Sequence, residues 1–142
     1  MEVVVNEWLL EYMRPDSEKA GFASRFLDEI EHRGHKLAIR RESVFTRKLY
    51  KYDRQFFRCF KRLKMILYDG DKVKLVDEKD IESLPQEIAD IVPEDDKYLV
   101  ELAYFTSDKL IVTTDARLRQ ALKAIESIKI YLVDEFTDEF LS

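Results

Sequence analysis

Apolar residues along the chain fall into two patterns, short unbroken runs and longer stretches in which they recur every three or four positions. The runs at Glu2-Val3-Val4-Val5, at His35-Lys36-Leu37-Ala38-Ile39, at Leu110-Ile111-Val112-Thr113 and from Lys129 to Val133 each hold three or four consecutive apolar residues, β-branched in the first, and are too short for helices. Runs that are apolar on successive positions predict strands buried on both faces, as in a parallel sheet. Lys72 to Val76 alternates instead, after the turn signal Asp69-Gly70-Asp71, and predicts an exposed or edge strand.

Between these runs the period changes to that of a helix. Trp8, Leu9, Leu10 and Tyr12 predict a short helix closed by Pro15, and Phe22, Phe26, Leu27 and Ile30 place one apolar face on a helix from Glu18 to about Glu31. Asp16 and Ser17 are its expected caps and Gly34 its stop. The clearest amphipathic stretch is Thr46 to about Leu67, with Leu49, Tyr52, Phe56, Phe60, Leu63 and Leu67 on the apolar side. From Glu78 to Asp90 a narrow stripe of Ile81, Leu84, Ile88 and Ile91 is interrupted near Pro85. Glu94-Asp95-Asp96 after Pro93 suits the first turn of a helix, where free amides favour negative charge, with Leu99, Leu102, Ala103 and Tyr104 as its core side. Asp115 to Ile125 completes the set. Strand and helix alternate throughout, which predicts an α/β fold in three layers, α/β/α, with a mostly parallel central sheet.

Composition narrows this picture. A length of 142 residues suits one domain spanning 1–142, and 46% hydrophobic with 37% charged residues is a globular balance. Cys59 is the lone cysteine, so no intramolecular disulfide forms and a reducing cytoplasm is the expected location, with Cys59 a small buried hydrophobe. No apolar stretch approaches the roughly 20 residues of a membrane span, and Met1-Glu2-Val3 lacks a basic leader; no membrane association and no processing are expected. His32 and His35 lie in a charged turn without a Ser or Cys nucleophile pattern and are expected to be solvated. The three glycines are scattered, which argues against a phosphate-cradling loop.

The net charge of −5 hides an asymmetry. Residues 33–64 carry twelve Lys and Arg against Glu42 and Asp53, while residues 69–101 carry twelve acids against four lysines. Such a chain can present a phosphate-binding face and an acidic cluster together. Arg47, Lys51, Arg54, Arg58 and Lys61 recur at steps of four, three, four and three, so a regular helix would align five cations on one face as a candidate RNA-binding stripe. Tyr52, Phe56 and Phe60 are expected in the core rather than as a stacking platform.

The acidic candidates gather where parallel sheets bind ligands, beyond the carboxyl ends of the strands. Asn6 follows the first strand, Asp115 follows the strand ending at Thr113, and Asp95 and Asp96 open the preceding helix. Clustered carboxylates repel one another unless a hard cation such as Mg²⁺ or Mn²⁺ neutralises them.

Asp96-Lys97-Tyr98-Leu99-Val100-Glu101-Leu102-Ala103 followed by Leu110-Ile111-Val112-Thr113-Thr114-Asp115 resembles the PIN-domain pattern of aspartate, apolar helix, apolar strand and Thr-x-Asp. Leu118, the last strand Ile130-Tyr131-Leu132-Val133 and the closing Glu139-Phe140-Leu141 are similar to the end of small PIN proteins. The resemblance implies a PIN-like fold and a metal-dependent endoribonuclease, or a weakened descendant of one, that hydrolyses RNA phosphodiesters with metal-activated water. Asp96 and Asp115 match its third and fourth acidic positions, with Asp95 an alternative ligand. The first position departs, because Asn6 brings an amide in place of a carboxylate. For the second, Glu42 is the nearest acid, while strict spacing falls on Arg47 or Lys48. The expected catalytic set is therefore Asn6, Glu42, Asp96 and Asp115, with RNA as partner. Alternatives are a non-catalytic PIN-like module that binds RNA or protein, and a toxin of a toxin-antitoxin pair with an antitoxin-like partner. A homodimer is a further possibility.

Overall fold

The computed structural model describes residues 1–141, and the side chains of residues 1–139. Five strands, β1 (Glu2–Val5), β2 (Lys36–Arg40), β3 (Val73–Val76), β4 (Leu110–Thr113) and β5 (Lys129–Leu132), form one sheet in the order β3-β2-β1-β4-β5. Every neighbouring pair is parallel. The chain builds outward from β1 through β2 to β3, then crosses to the other side of β1 for β4 and β5. That reversal puts the topological switch between β1 and β4.

Period-two alternation divides the core. Val3 and Val5 of β1, Leu37 and Ile39 of β2, and Leu110 and Val112 of β4 face α1 (Trp8–Tyr12), α2 (Ala20–His32), α3 (Val44–Leu67) and α7 (Val133–Phe136). Val4, Ala38 and Ile111 face the opposite way, toward α4 (Gln86–Ala89), α5 (Lys97–Phe105) and α6 (Ala116–Ala121). Helices thus cover both faces of an all-parallel sheet, an arrangement compatible with a three-layer sandwich. Trp8, 5% exposed, is core as expected: it meets Phe26 edge to face at 5.2 Å, and its indole Nε1 donates to the Val112 carbonyl at 2.8 Å, tying α1 to β4. No helix among the described residues is long and apolar enough to cross a membrane.

Gly34 ends α2 as its position predicts. Its φ of +72° lies in the left-handed region, and the His35 and Gly34 amides return to the Ile30 and Glu31 carbonyls at 2.9 and 3.2 Å, closing the helix end. The start of α2 differs from expectation. It begins at Ala20, and the Ser17 hydroxyl accepts from the Lys19 amide in a local turn instead of capping the helix. Smaller differences have the same local character: the Glu94–Asp96 turn is 3₁₀, α6 stops at Ala121, and Ile91 is 42% exposed because the Glu78–Asp90 segment forms two short helical pieces instead of one stripe. His32 is exposed, but His35 is half-buried beside the amino group of Met1, and burial lowers its pKa.

The largest correction concerns α3. It is not straight: Phe56, at φ −137° and ψ 50°, breaks it into two arms. Lys64 Nζ lies 3.0 Å from Asp53 Oδ2, although eleven residues of straight helix would set their backbones about 16 Å apart. The rings of Tyr52 and Phe60 close to 5.9 Å, and the Arg14 guanidinium covers the Tyr52 and Phe56 rings at 5.2 and 5.7 Å. A straight helix of 24 residues would run about 36 Å, roughly twice the length of the strands it spans. Bending lets Phe60, Leu63 and Ile66 re-enter the core, at 0, 0 and 3% exposure. A Ser43–Thr46 capping box fixes where the first arm begins.

A Cβ added at Gly34 would meet no atom within 4 Å, so Gly34→Ala isolates the backbone term. It is expected to cost about 1 kcal/mol of folding stability in urea titration; an unchanged midpoint would show that the left-handed residue is not what ends α2.

Candidate functional site

Two of the sequence candidates meet at the switch. Asn6 leaves β1 and Asp115 follows β4, and the Thr113 hydroxyl stands between them: it accepts from Asn6 Nδ2 and from the Asp115 amide, each at 3.1 Å. Thr113 is fully buried, so the Thr of Thr-x-Asp is a fixed post that holds both strand ends. Asp115 also caps α6, its Oδ1 accepting from the Arg117 and Leu118 amides at 2.9 and 3.2 Å.

Asp96, in the turn before α5, comes within hydrogen-bonding reach of Asp115. Burial raises the Asp96 pKa, and the adjacent charge of Asp115, that hydrogen bond and the nearby charge of Asp95 raise it further, against a smaller opposing effect of Arg117. Asp95 itself is exposed. Asp96 and Asp115 therefore lie side by side, and burial together with the Asp115 charge disfavours the ionised Asp96.

Around the pair the charge count falls. Glu7 Oε1 accepts from the Tyr98 hydroxyl at 2.7 Å, and the Tyr98 pKa is pushed up by burial, by that bond and by the charges of Glu7 and Asp96. Sequence spacing had given no reason to place Glu7 here, since a residue next to Asn6 leaves the strand in another direction. α1 begins immediately after it, with Glu7 at the N-cap position, and this turn brings the side chain back toward α5. Lys48, one of the two residues (with Arg47) on the spacing where the resemblance calls for the second acid, forms an ion pair with Glu11 and also feels the charge of Glu7. Its pKa is raised, first by the hydrogen bond to Glu11. Glu11 Oε1 additionally accepts from the Tyr52 hydroxyl at 2.7 Å. Glu42 is exposed and lines a shallow surface pocket with Arg41, Asp77, Glu78 and Lys79. The charges that act most strongly on Asp96 are those of Asp115, Asp95 and Arg117.

These residues do not fit the divalent metal cluster that the resemblance implies. Asn6 directs its amide nitrogen at Thr113, Glu7 is engaged by Tyr98, and a basic residue occupies the second acidic spacing. Among the described residues no group of three or more His, Cys, Asp or Glu is arranged to hold a metal ion. Two close carboxylates remain, where a hard cation would want a higher ligand charge.

The basic candidates are better served. Arg47, Lys51, Arg54, Arg58 and Lys61 are all exposed, and among the described residues none of the five is in an ion pair. The other three cations of α3 are neutralised: Lys48 by Glu11, Arg62 by Asp28 and Glu31, and Lys64 by Asp53. The bend divides the five between the arms, Arg47, Lys51 and Arg54 on the first and Arg58 and Lys61 on the second, so the single straight row expected from spacing is not formed. Tyr52 and Phe60 are core, as expected, and Phe56 is partly buried at the bend. Tyr50 and Phe57, 62 and 61% exposed, were not singled out by the sequence pattern and stand among the free cations.

Comparison with protein-family models, with curated proteins and with solved structures returned no match.

An acid whose pKa is higher in the folded state than its ordinary 3.8 binds extra protons on folding, so its contribution to stability declines as pH rises through the raised value. Asp96→Asn should therefore gain on the wild type as pH goes from about 4 to 7. Comparing urea midpoints of the two proteins at both pH values checks this, and a difference that does not change with pH would mean that neither burial nor the neighbouring Asp115 disfavours the ionised Asp96. Asp115→Ala is a poorer probe, because losing the α6 cap alone costs about 1 kcal/mol.

Proposed function

We propose that this protein is a PIN-like RNA-binding protein whose acidic centre carries too little charge to work as an efficient metal-dependent ribonuclease. One observation carries the reading: α3 pairs three of its eight cations and leaves five exposed without a counter-charge among the described residues. A polyanion supplies that charge, and release of its counterions drives association. The overall net charge of −5 would disfavour a diffuse interaction with nucleic acid, so binding depends on this local element.

The resemblance to PIN proteins gives the class of polyanion, and the acidic edge gives the direction in which function has moved. Asn6, the Tyr98-bound Glu7 and the Lys48–Glu11 pair leave Asp96 and Asp115 as the remaining charged partners at the switch. The Asp96–Asp115 pair favours a second reading, residual ribonuclease activity that depends on Mg²⁺ or Mn²⁺. Incubation of single-stranded RNA with Mn²⁺ separates the two. Equal yields from wild type and Asp96→Asn support the binding role, and cleavage by wild type alone establishes the nuclease.

The binding role has its own test. Replacing Arg47, Lys51 and Arg54 together by alanine should weaken RNA binding and lower the slope of log affinity against log salt by roughly 0.7 for each phosphate that loses its cation, about 2 in all. Anisotropy titrations at several salt concentrations measure both quantities. Unchanged affinity and slope would remove α3 as the interface.

A further inference from the structure

The bend in α3 does more than shorten it. It brings Tyr50 of the first arm and Tyr68, the residue that closes the second arm, to the walls of one groove of about 210 Å³, floored by Ile39, Leu49, Leu67 and Leu75. On a straight helix those tyrosines would stand about 27 Å apart. Here they bound a slot beside the edge strand β3. Tyr50 is 62% exposed and Tyr68 is 86% exposed.

The charge around the slot identifies its occupant. Tyr50 lies three residues after Arg47 and four before Arg54, so both free cations share its helical face. Lys51 is next to it, also exposed and without an ion pair. Arg41 and Lys64, which also line the slot, are already neutralised by Asp77 and Asp53, so the cations beside the tyrosines that are in no ion pair among the described residues are Arg47, Lys51 and Arg54. Beyond the bend, Phe57 is 61% exposed with the Arg58 guanidinium 5.9 Å from its ring centre. Flat apolar surfaces alternating with unpaired cations match a polymer that alternates flat rings with anionic phosphates. In a duplex those rings are stacked inside and only phosphates are offered, whereas in a single strand the bases are free to stack on aromatic side chains.

We propose that the Tyr50–Tyr68 groove is a stacking site for an unpaired base, and that α3 selects single-stranded over double-stranded nucleic acid. This rests on the RNA-binding reading and deepens it. The cations supply affinity for either form, and the two rings supply the preference.

The test uses the full chain and a fluorescein-labelled RNA of about twelve nucleotides, free or annealed to its complement, with the DNA of the same sequence alongside. The single strand should bind at least tenfold more tightly than the duplex. Tyr50→Ala with Tyr68→Ala should weaken single-strand binding roughly tenfold or more and leave duplex binding unchanged, while the corresponding Phe substitutions, which keep the rings, should restore it. Both tyrosines are exposed, and unchanged circular dichroism and urea midpoints confirm that the variants fold. Equal affinity for duplex and single strand, or alanine variants that bind like wild type, would overturn the groove while leaving RNA binding by α3 standing. Displacement of the RNA by polyglutamate as effectively as by unlabelled single strand would also overturn it, since charge alone would then suffice. Absence of binding to any nucleic acid would instead refute the RNA-binding reading itself. The DNA arm distinguishes a site for bases in general, which binds both, from one that also reads the ribose.

Discussion

The turn of α3 at Phe56 governs both the packing and the surface of this protein. A helix of this length cannot follow strands of four or five residues without leaving the sheet, and the apolar spacing continues well past the point where a straight rod would part from it. Bending resolves the conflict. Phe60, Leu63 and Ile66 regain the core, while Asp53 and Lys64 close the inside of the angle and Arg14 covers its aromatic corner. The same geometry sorts the cations. Lys48 and Arg62 reach carboxylates of α1 and α2, Lys64 reaches Asp53 across the bend, and the five exposed cations have no ion pair among the described residues.

At the carboxyl end of the sheet the constraint is of a different kind. The switch between β1 and β4 is secured by neutral hydrogen bonds, from Asn6 to Thr113 and from Trp8 to the Val112 carbonyl. A carboxylate in place of Asn6 would add a third negative charge beside a pair in which the Asp96 pKa is already raised, first by burial and then by Asp115. The amide keeps the strand ends joined without that repulsion, and Tyr98 and Lys48 moderate Glu7 and Glu11 in the same direction. This is why the acidic pair and the basic helix need not act in one reaction.

Much of this was legible in the residues. Four short apolar runs and one alternating run marked all five strands to within a residue, because a central strand of a parallel sheet leaves a simple signature. Asp96 and Asp115 were found as partners because strand ends at a switch point converge whatever the details of the loops. The five cations could be seen to be exposed, since they fall opposite the apolar stripe. The bend could not be seen: no Pro or Gly lies between Val44 and Leu67, and a break made by a phenylalanine under tertiary packing leaves no trace in periodicity. The convergence of Tyr50 and Tyr68 and the division of the basic row depend on that bend and were hidden with it. The surroundings of Glu42 were hidden for a related reason, because an acid two residues beyond a strand is aimed by its loop, and here it lines a pocket with Asp77 and Lys79. Glu7 reached the site through the tight start of α1, which spacing alone does not encode.

The central claim is that α3, not the acidic pair, is the surface that meets RNA. Hydrogen exchange with and without a saturating single-stranded RNA tests that most directly, because amides protected by a ligand are located along the chain. Slowed exchange is predicted to concentrate in residues 44–68, with residues 94–118 little changed. Protection confined to residues 94–118, with α3 exchanging as in the free protein, would contradict the claim.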